Sequence, residues 1–212
     1  MNPLLQIAVY AIVFPLIMRS NLPNYTVFLC CGLIPWNFFS TATSRTSFTM
    51  IENGNIIKKV YFPREILPLS VVTSEAINFI ISTIIILAFV LGYGMGLSKY
   101  IIFYPLILIV QYFLLIGISF IVSSVTVYFR DLQHFIGIAL QLLFYATPIV
   151  YAPDSIPQNF QWILQFNPMT YIINGYRDIF YYQQMPDFAS LGLVLLISIA
   201  LTIVGYLIFK KL

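Results

Sequence analysis

The sequence predicts an all-α integral membrane protein with six transmembrane helices. Composition is the first reason: the 212-residue chain is 60% hydrophobic and only 8% charged, whereas a soluble domain carries about 25% charged residues. The second is distribution, because the apolar residues fall in charge-poor runs that approach or exceed the roughly 20 residues a helix needs to cross a bilayer. Strands that alternate with a period of two between regular turns are not found, which argues against a β-barrel. The spans use almost the whole length, so residues 1–212 read as a single membrane domain.

The first span covers about Leu4–Met18 and is apolar apart from Gln6. Met1-Asn2-Pro3 leads almost directly into it, without the basic start and small-residue cleavage site of a signal peptide. A further segment ahead of Met1 is therefore expected. The second span covers about Tyr25–Met50, with no charge from Ser20 to Ser44 and Arg45 toward its far end. Its adjacent cysteines, Cys30 and Cys31, say nothing about redox compartment, because sequence neighbours rarely pair. The third covers about Leu69–Leu91, with Glu75 in its first turns, and the fourth about Tyr100–Val127. The fifth covers about Phe135–Ala152 and the sixth about Phe188–Phe209. A helix satisfies its backbone polar groups within the segment, as hydrocarbon requires.

Positive charge sets the orientation. With a cytosolic N-terminus, the inner loops hold Lys58, Lys59, Arg64, Arg130, Lys210 and Lys211, and the outer loops hold Arg19, Lys99 and Arg177. The Lys/Arg bias of cytoplasmic loops then predicts a multi-pass protein with both termini in the cytosol. The insert Asn53–Pro68, NGNIIKKVYFPREILP, faces the same side. It is short and basic, with a helix-like core at Ile56–Tyr61 that ends at Pro63. Its cations can anchor on anionic lipid headgroups, or the knuckle can dock on another protein.

Pro153–Asp187 is too polar and proline-broken for one span and too aromatic for an ordinary loop. Gln158–Phe166 reads as one short helix and Met169–Tyr182 as another, with Pro168 at the break. Met169, Ile172, Ile173, Tyr176, Ile179 and Phe180 share one face of the second. The pair fits an extracellular re-entrant hairpin before the last span, dipping into the outer leaflet where protein buries it. It also fits two helices lying flat in the interface, with Trp162 and Tyr181 as belt aromatics.

Several chemistries are excluded. No phosphate-cradling loop occurs, and Gly92, Gly94 and Gly96 have the wrong spacing for one. The lone histidine, His134, sits in a turn beside Arg130 and Asp131, which does not make a metal site. No nucleophile–base constellation presents itself, so the chain is read as a non-enzyme without cofactor. The net charge of +3 is small and dispersed, which excludes nucleic acid as a partner. Glu75 is the sole acid within a span, and proton-driven transporters need several ionisable groups at depth. Any uphill movement of a solute must draw its energy from another protein.

The chain holds 15 Tyr and 19 Phe, several of them inside spans: Tyr10, Phe14, Phe38, Phe39, Phe144 and Tyr145. Aromatic faces stack on sugar rings and phenols add a hydrogen bond, although packing alone also explains such residues. Tyr10 and Phe14, at i,i+4, are the foremost path-lining pair.

The order of parts resembles the permease subunit of ABC-2-type exporters, in particular the branch that exports polysaccharide, O-antigen or teichoic acid. The matching segments are NPLLQIAVYAIVF (2–14), GLIPWNFFS (32–40), NGNIIKKVYFPREILPLS (53–70), VYFRDLQHF (127–135), TPIVYAPDSIP (147–157) and FNPMTYIINGYRD (166–178). They cover nearly the whole chain in order. The resemblance implies a homodimer on two copies of a cytosolic ATPase, which holds ATP and Mg, in the cytoplasmic (inner) membrane. It implies that a coupling helix at Ile56, Ile57, Lys58, Lys59, Val60 and Tyr61, with Phe62, Pro63, Arg64 and Glu65 beside it, docks on that ATPase. A substrate path along Tyr10, Phe14, Phe38, Phe39 and Tyr145, and an outer gate at Pro168, Tyr171, Tyr176 and Arg177, complete the expectation. The family's glycan travels on a polyprenyl pyrophosphate lipid, whose phosphate Arg45 or Arg64 would meet unless a structural ion pair claims them. The family's interfacial helix ahead of the first span is missing from this sequence. An exporter of a drug or small lipid, and an energy-independent channel or scaffold, are the alternatives.

Overall fold

A computed structural model describes residues 23–59, 62–129, 131–153 and 161–211. Its regular structure is helical throughout. The elements are α1 (Tyr25–Glu52), α2 (Gly54–Lys59), α3 (Ile66–Gly92), a 3-10 turn (Lys99–Phe103) running into α4 (Tyr104–Tyr128), α5 (Leu132–Tyr145), α6 (Gln161–Phe166), α7 (Pro168–Phe180) and α8 (Phe188–Lys210). Four segments are long and apolar enough to cross a membrane: Tyr25–Glu52, Ile66–Gly92, Lys99–Tyr128 and Phe188–Lys210. They correspond to the second, third, fourth and sixth spans expected from the sequence. The first expected span, Leu4–Met18, lies outside the described residues.

The fifth expected span, Phe135–Ala152, is not among these four. Its helix is α5, of 14 residues, or about 21 Å at 1.5 Å per residue, against about 30 Å of hydrocarbon. Pro148 biases Thr147 away from helical backbone, and the chain folds into a turn. The Thr147 hydroxyl donates to the Leu143 carbonyl at 2.6 Å, and the Tyr151 hydroxyl to the Tyr145 carbonyl at 2.8 Å. The last carbonyls of α5 thus find partners without continuing the helix.

α1 is the central element, packed on α3, α4, α5 and α7. Val27, Phe28, Leu29, Cys30 and Cys31 are all fully buried, so both cysteines face protein. Pro35 interrupts its hydrogen-bond ladder, and the Gln111 side chain of α4 donates to the Pro35 carbonyl at 2.8 Å. α4 and α8 run close together because two glycines remove side chains from their crossing. A Cβ on Gly117 would lie 2.8 Å from the Thr202 amide nitrogen, and one on Gly205 2.7 Å from the Gly117 carbonyl oxygen. Small residues at such crossings let membrane helices gain dispersion contact where no hydrophobic drive exists between them.

The sequence places a helix break at Pro168, and α7 begins there. The Asn167 side chain caps it, accepting from the Met169 amide at 3.0 Å and donating to Thr147 Oγ1 at 2.8 Å. The expected apolar stripe of α7 is buried from Met169 to Phe180. Beyond it the Tyr181 hydroxyl donates to the Pro23 carbonyl at 2.6 Å, and Gln183 Nε2 to the carbonyls of Met95 and Gly96 at 2.8 and 3.0 Å. These bonds tie α7 to the end of the bundle where α1 starts and α3 stops. Lys58, Lys59, Arg64 and Lys210 lie at the opposite end.

Candidate functional site

A polar groove of about 220 Å³ runs between α1 and α3. From α1 it takes Ile34, Asn37, Phe38 and Thr41, at i, i+3, i+4 and i+7; from α3 it takes Glu75, Asn78, Phe79 and Ser82 at the same spacing. That spacing lines up one stripe on each helix, and the packing of α1 on α3 sets the stripes face to face. Among these residues Thr41 and Asn78 are exposed, and Asn37 and Ser82 half-buried. Amide and hydroxyl groups left open at membrane depth are costly unless water, protein or a ligand covers them.

An ion pair closes the basic-end side of the groove. Arg45 Nη1 donates to Glu75 Oε1. Asn78 Nδ2 donates weakly to the other carboxylate oxygen at 3.4 Å. The two partners differ in exposure, with the Arg45 side chain 57% exposed and that of Glu75 8%. The charge of Glu75 is therefore matched inside the protein, while Arg45, mostly exposed, lies beside the groove rather than in its lining.

The back wall of the groove is aromatic. Phe38 stacks on Phe79, with ring centroids 5.1 Å apart and an interplanar angle of 15°. Phe79 contacts Tyr104 at 6.2 Å and Tyr176 edge-on at 5.5 Å, and Tyr104 contacts Phe180 at 6.0 Å. The Tyr104 hydroxyl bonds Thr83 Oγ1 at 2.8 Å. A continuous set of rings thus links the groove to α7.

The expected path residues separate. Phe38 forms the groove wall, whereas Phe39 turns to Trp36 at 5.4 Å, which in turn meets Phe144 of α5 at 5.7 Å. Tyr145 is exposed on α5. Tyr10 and Phe14 lie outside the described residues, as do Val60 and Tyr61. The knuckle helix occurs as α2, two residues earlier than expected, and contains Ile56 and Ile57, with Lys58 and Lys59 exposed at its end. Phe62 and Glu65 are half-buried, and Pro63 and Arg64 exposed. Of the four expected gate residues, Pro168 and Tyr171 are half-buried, but Tyr176 and Arg177 are fully buried. Arg177 is therefore a core residue rather than an outer-loop charge. Sequence reasoning missed Asn37, Thr41, Asn78 and Ser82 as a set. Their signal was two polar stripes at helical spacing within otherwise apolar spans.

Comparison with known proteins gives concordant matches. The family model described as "ABC-2 type transporter" matches residues 1–181. The chain is 41% identical over its whole length to an O-antigen export system permease protein RfbA of Klebsiella pneumoniae, covering 82% of that protein. It is 32% identical to the RfbA permease of Myxococcus xanthus, again over its whole length and 82% of that protein. It is 23% identical to the polysialic acid transport protein KpsM of Escherichia coli, over 93% of this chain and 78% of that one.

Proposed function

This chain belongs to the ABC-2 type transporter family, and we propose that it is the transmembrane permease of an ATP-driven exporter that moves lipid-linked surface polysaccharide across the cytoplasmic membrane. The observation that carries the reading is the groove between α1 and α3, in a chain whose curated relatives are named as O-antigen and polysialic acid transport proteins. A sugar polymer presents hydroxyls and flat CH faces. The groove presents amides, hydroxyls and the Phe38–Phe79 wall to match them. Arg45, at its basic end, suits the phosphate of a lipid carrier, and its partner Glu75 holds it in place.

In this reading the chain is a transport component, and ATP with Mg is hydrolysed on a separate cytosolic subunit. Two copies of the chain stand on two copies of that ATPase, and each copy crosses the membrane six times with both termini in the cytosol. The two spans beyond the four long helices are those that the sequence predicts at Leu4–Met18 and Phe135–Ala152. α6 and α7 form a re-entrant hairpin rather than lying flat in the interface, a reading supported by the burial of one whole face of α7. α2 is the coupling helix, supported by its place between two long helices and its exposed lysines. ATPase closure pushes α2 and tilts α1 against α3. The ring set from Phe38 through Phe79, Tyr104 and Tyr176 carries the tilt to α7.

Depletion of the chain in its native cell tests this. Polysaccharide should vanish from the surface while lipid-linked polymer accumulates inside. Unchanged surface polymer, with sensitivity to a drug or loss of a small lipid instead, would mean a different cargo.

A further inference from the structure

A second cleft, of about 320 Å³, opens at the end of the bundle opposite the basic knuckle, between α7 and the start of α8. Its polar lining is Tyr171, Asn174, Asp178, Tyr182, Asp187 and Ser190, and Gly175 and Leu191 add an apolar floor. Tyr171, Asn174 and Asp178 lie at i, i+3 and i+7 of α7, on the face turned away from the buried Ile172, Tyr176 and Ile179. α7 is thus two-sided: one stripe holds the core and the other lines a cleft.

The lining selects a ligand by its chemistry. Among the described residues the cleft is lined by two carboxylates and no cation, so it does not suit an anion. Ser190 donates both its amide and its hydroxyl to Asp187, which holds that carboxyl below the usual carboxylate range and therefore ionised. A metal ion suits the cleft no better. Asp187 Oδ1 already accepts from the Ala189 and Ser190 amides, and Oδ2 from the Ser190 hydroxyl. Asp178 Oδ1 accepts from Gln184 Nε2 at 2.6 Å, and no cluster of three potential metal ligands occurs among the described residues. What remains for hydroxyl donors is Asp178 Oδ2 and the second lone pair of Asp187 Oδ2, beside an amide at Asn174 that both donates and accepts and two phenol rings. The Tyr171 hydroxyl donates to the Gln165 carbonyl at 2.9 Å, which fixes that ring in place. Acceptors, one amide and aromatic planes above an apolar floor are what a pyranose ring requires: hydroxyls at its edge and CH groups on its face. The volume is at the lower end for a ligand pocket, with room for about one or two rings.

We propose that the α7–α8 cleft is a glycan-binding subsite, which engages an uncharged stretch of one or two sugar units of the exported polymer at the far side of the membrane. This rests on the polysaccharide reading above. It gives α7 a role in holding the chain as it emerges, separate from the groove between α1 and α3.

The test uses the full-length protein in lipid nanodiscs and two probes. One is delipidated polysaccharide, released by mild acid from the surface of the native cells; the other is calcium chloride. Polysaccharide should bind the wild type, and Asn174→Ala and Tyr182→Ala should each weaken it about five- to tenfold, the scale of one lost hydrogen bond or stacking face. Tyr182 is 47% exposed, so its replacement leaves the core intact, and Tyr182→Phe should restore most of the loss through the ring alone. Polysaccharide that fails to bind, or binds all variants equally, overturns the subsite. So does calcium binding that Asp178→Asn abolishes, since the cleft would then be a cation site. Surface polymer in cells depleted of the chain separates the two levels. If export needs the chain while the cleft variants bind normally, only the subsite fails; if export does not need the chain, the underlying reading fails.

Discussion

The guanidinium carbon of Arg177 sits 3.6 Å from the centroid of the Phe28 ring. Both residues are fully buried, and Arg177 Nη2 also donates to the Ile149 carbonyl at 2.7 Å. Gly32, one turn along from Phe28, makes the space: a Cβ there would lie 3.0 Å from the Ile149 carbonyl oxygen and 3.2 Å from Arg177 Nη2. One cation thereby joins α7, α1 and the turn that follows α5. Phe28→Leu keeps the site apolar but removes the ring face, and should cost about 1–2 kcal/mol. Arg177→Ala also strips a hydrogen bond from a buried carbonyl and opens a cavity, and should cost about 3 kcal/mol. Thermal unfolding in detergent measures both, and the order of the two variants is the diagnostic.

For the pair at the groove's end, charge should count for both stability and transport. Arg45 is largely exposed, but Arg45→Ala leaves the buried Glu75 carboxylate with only the weak Asn78 contact and should cost about 1–3 kcal/mol of stability. Export should fall by at least about tenfold, since a phosphate contact of this charged type contributes about 1.5–3 kcal/mol. Arg45→Lys, which keeps the charge, should recover part of it. Pulse-labelled polymer reaching the cell surface is the readout.

The crossing of α4 and α8 tolerates no added side chain. Gly117→Val and Gly205→Val should each destabilise by about 1–3 kcal/mol, through overpacking against backbone. The double variant should fall short of their sum, because the Gly205 Cβ position faces the Gly117 carbonyl oxygen. Gly192→Val, where nothing lies within 4 Å of a Cβ, should unfold at the wild-type temperature.

At the basic knuckle, reversing charge distinguishes docking from lipid anchoring. Lys58→Glu with Arg64→Glu should abolish co-purification of the ATPase while the permease still inserts in the membrane. Loss of membrane insertion with the ATPase still attached would identify the cations as lipid anchors.

How much of this was legible beforehand depended on whether a feature was local. The four long helices followed from charge-poor apolar runs, and the start of α7 from Pro168. The shortness of α5 turned on Pro148 and on bonds such as Tyr151 to Tyr145, which composition does not reveal. Arg177 looked like an outer-loop charge because it falls between the fifth and sixth expected spans. Its burial depends on Phe28 and Gly32, about 150 positions away in the chain. The groove was half-legible. Asn37 with Thr41, and Asn78 with Ser82, mark a polar stripe on each helix, but only the packing of α1 on α3 turns two stripes into one site.

In the proposed mechanism the exported polymer passes along the groove between α1 and α3. Photo-crosslinking tests it most directly, with a light-activated amino acid placed at Asn78 in the groove or at Ile77, which is 54% exposed and points away at the same depth. During active export, irradiation should attach glycan to the protein at position 78 and not at 77. Glycan captured equally at both positions, or at neither while export proceeds, would contradict the claim.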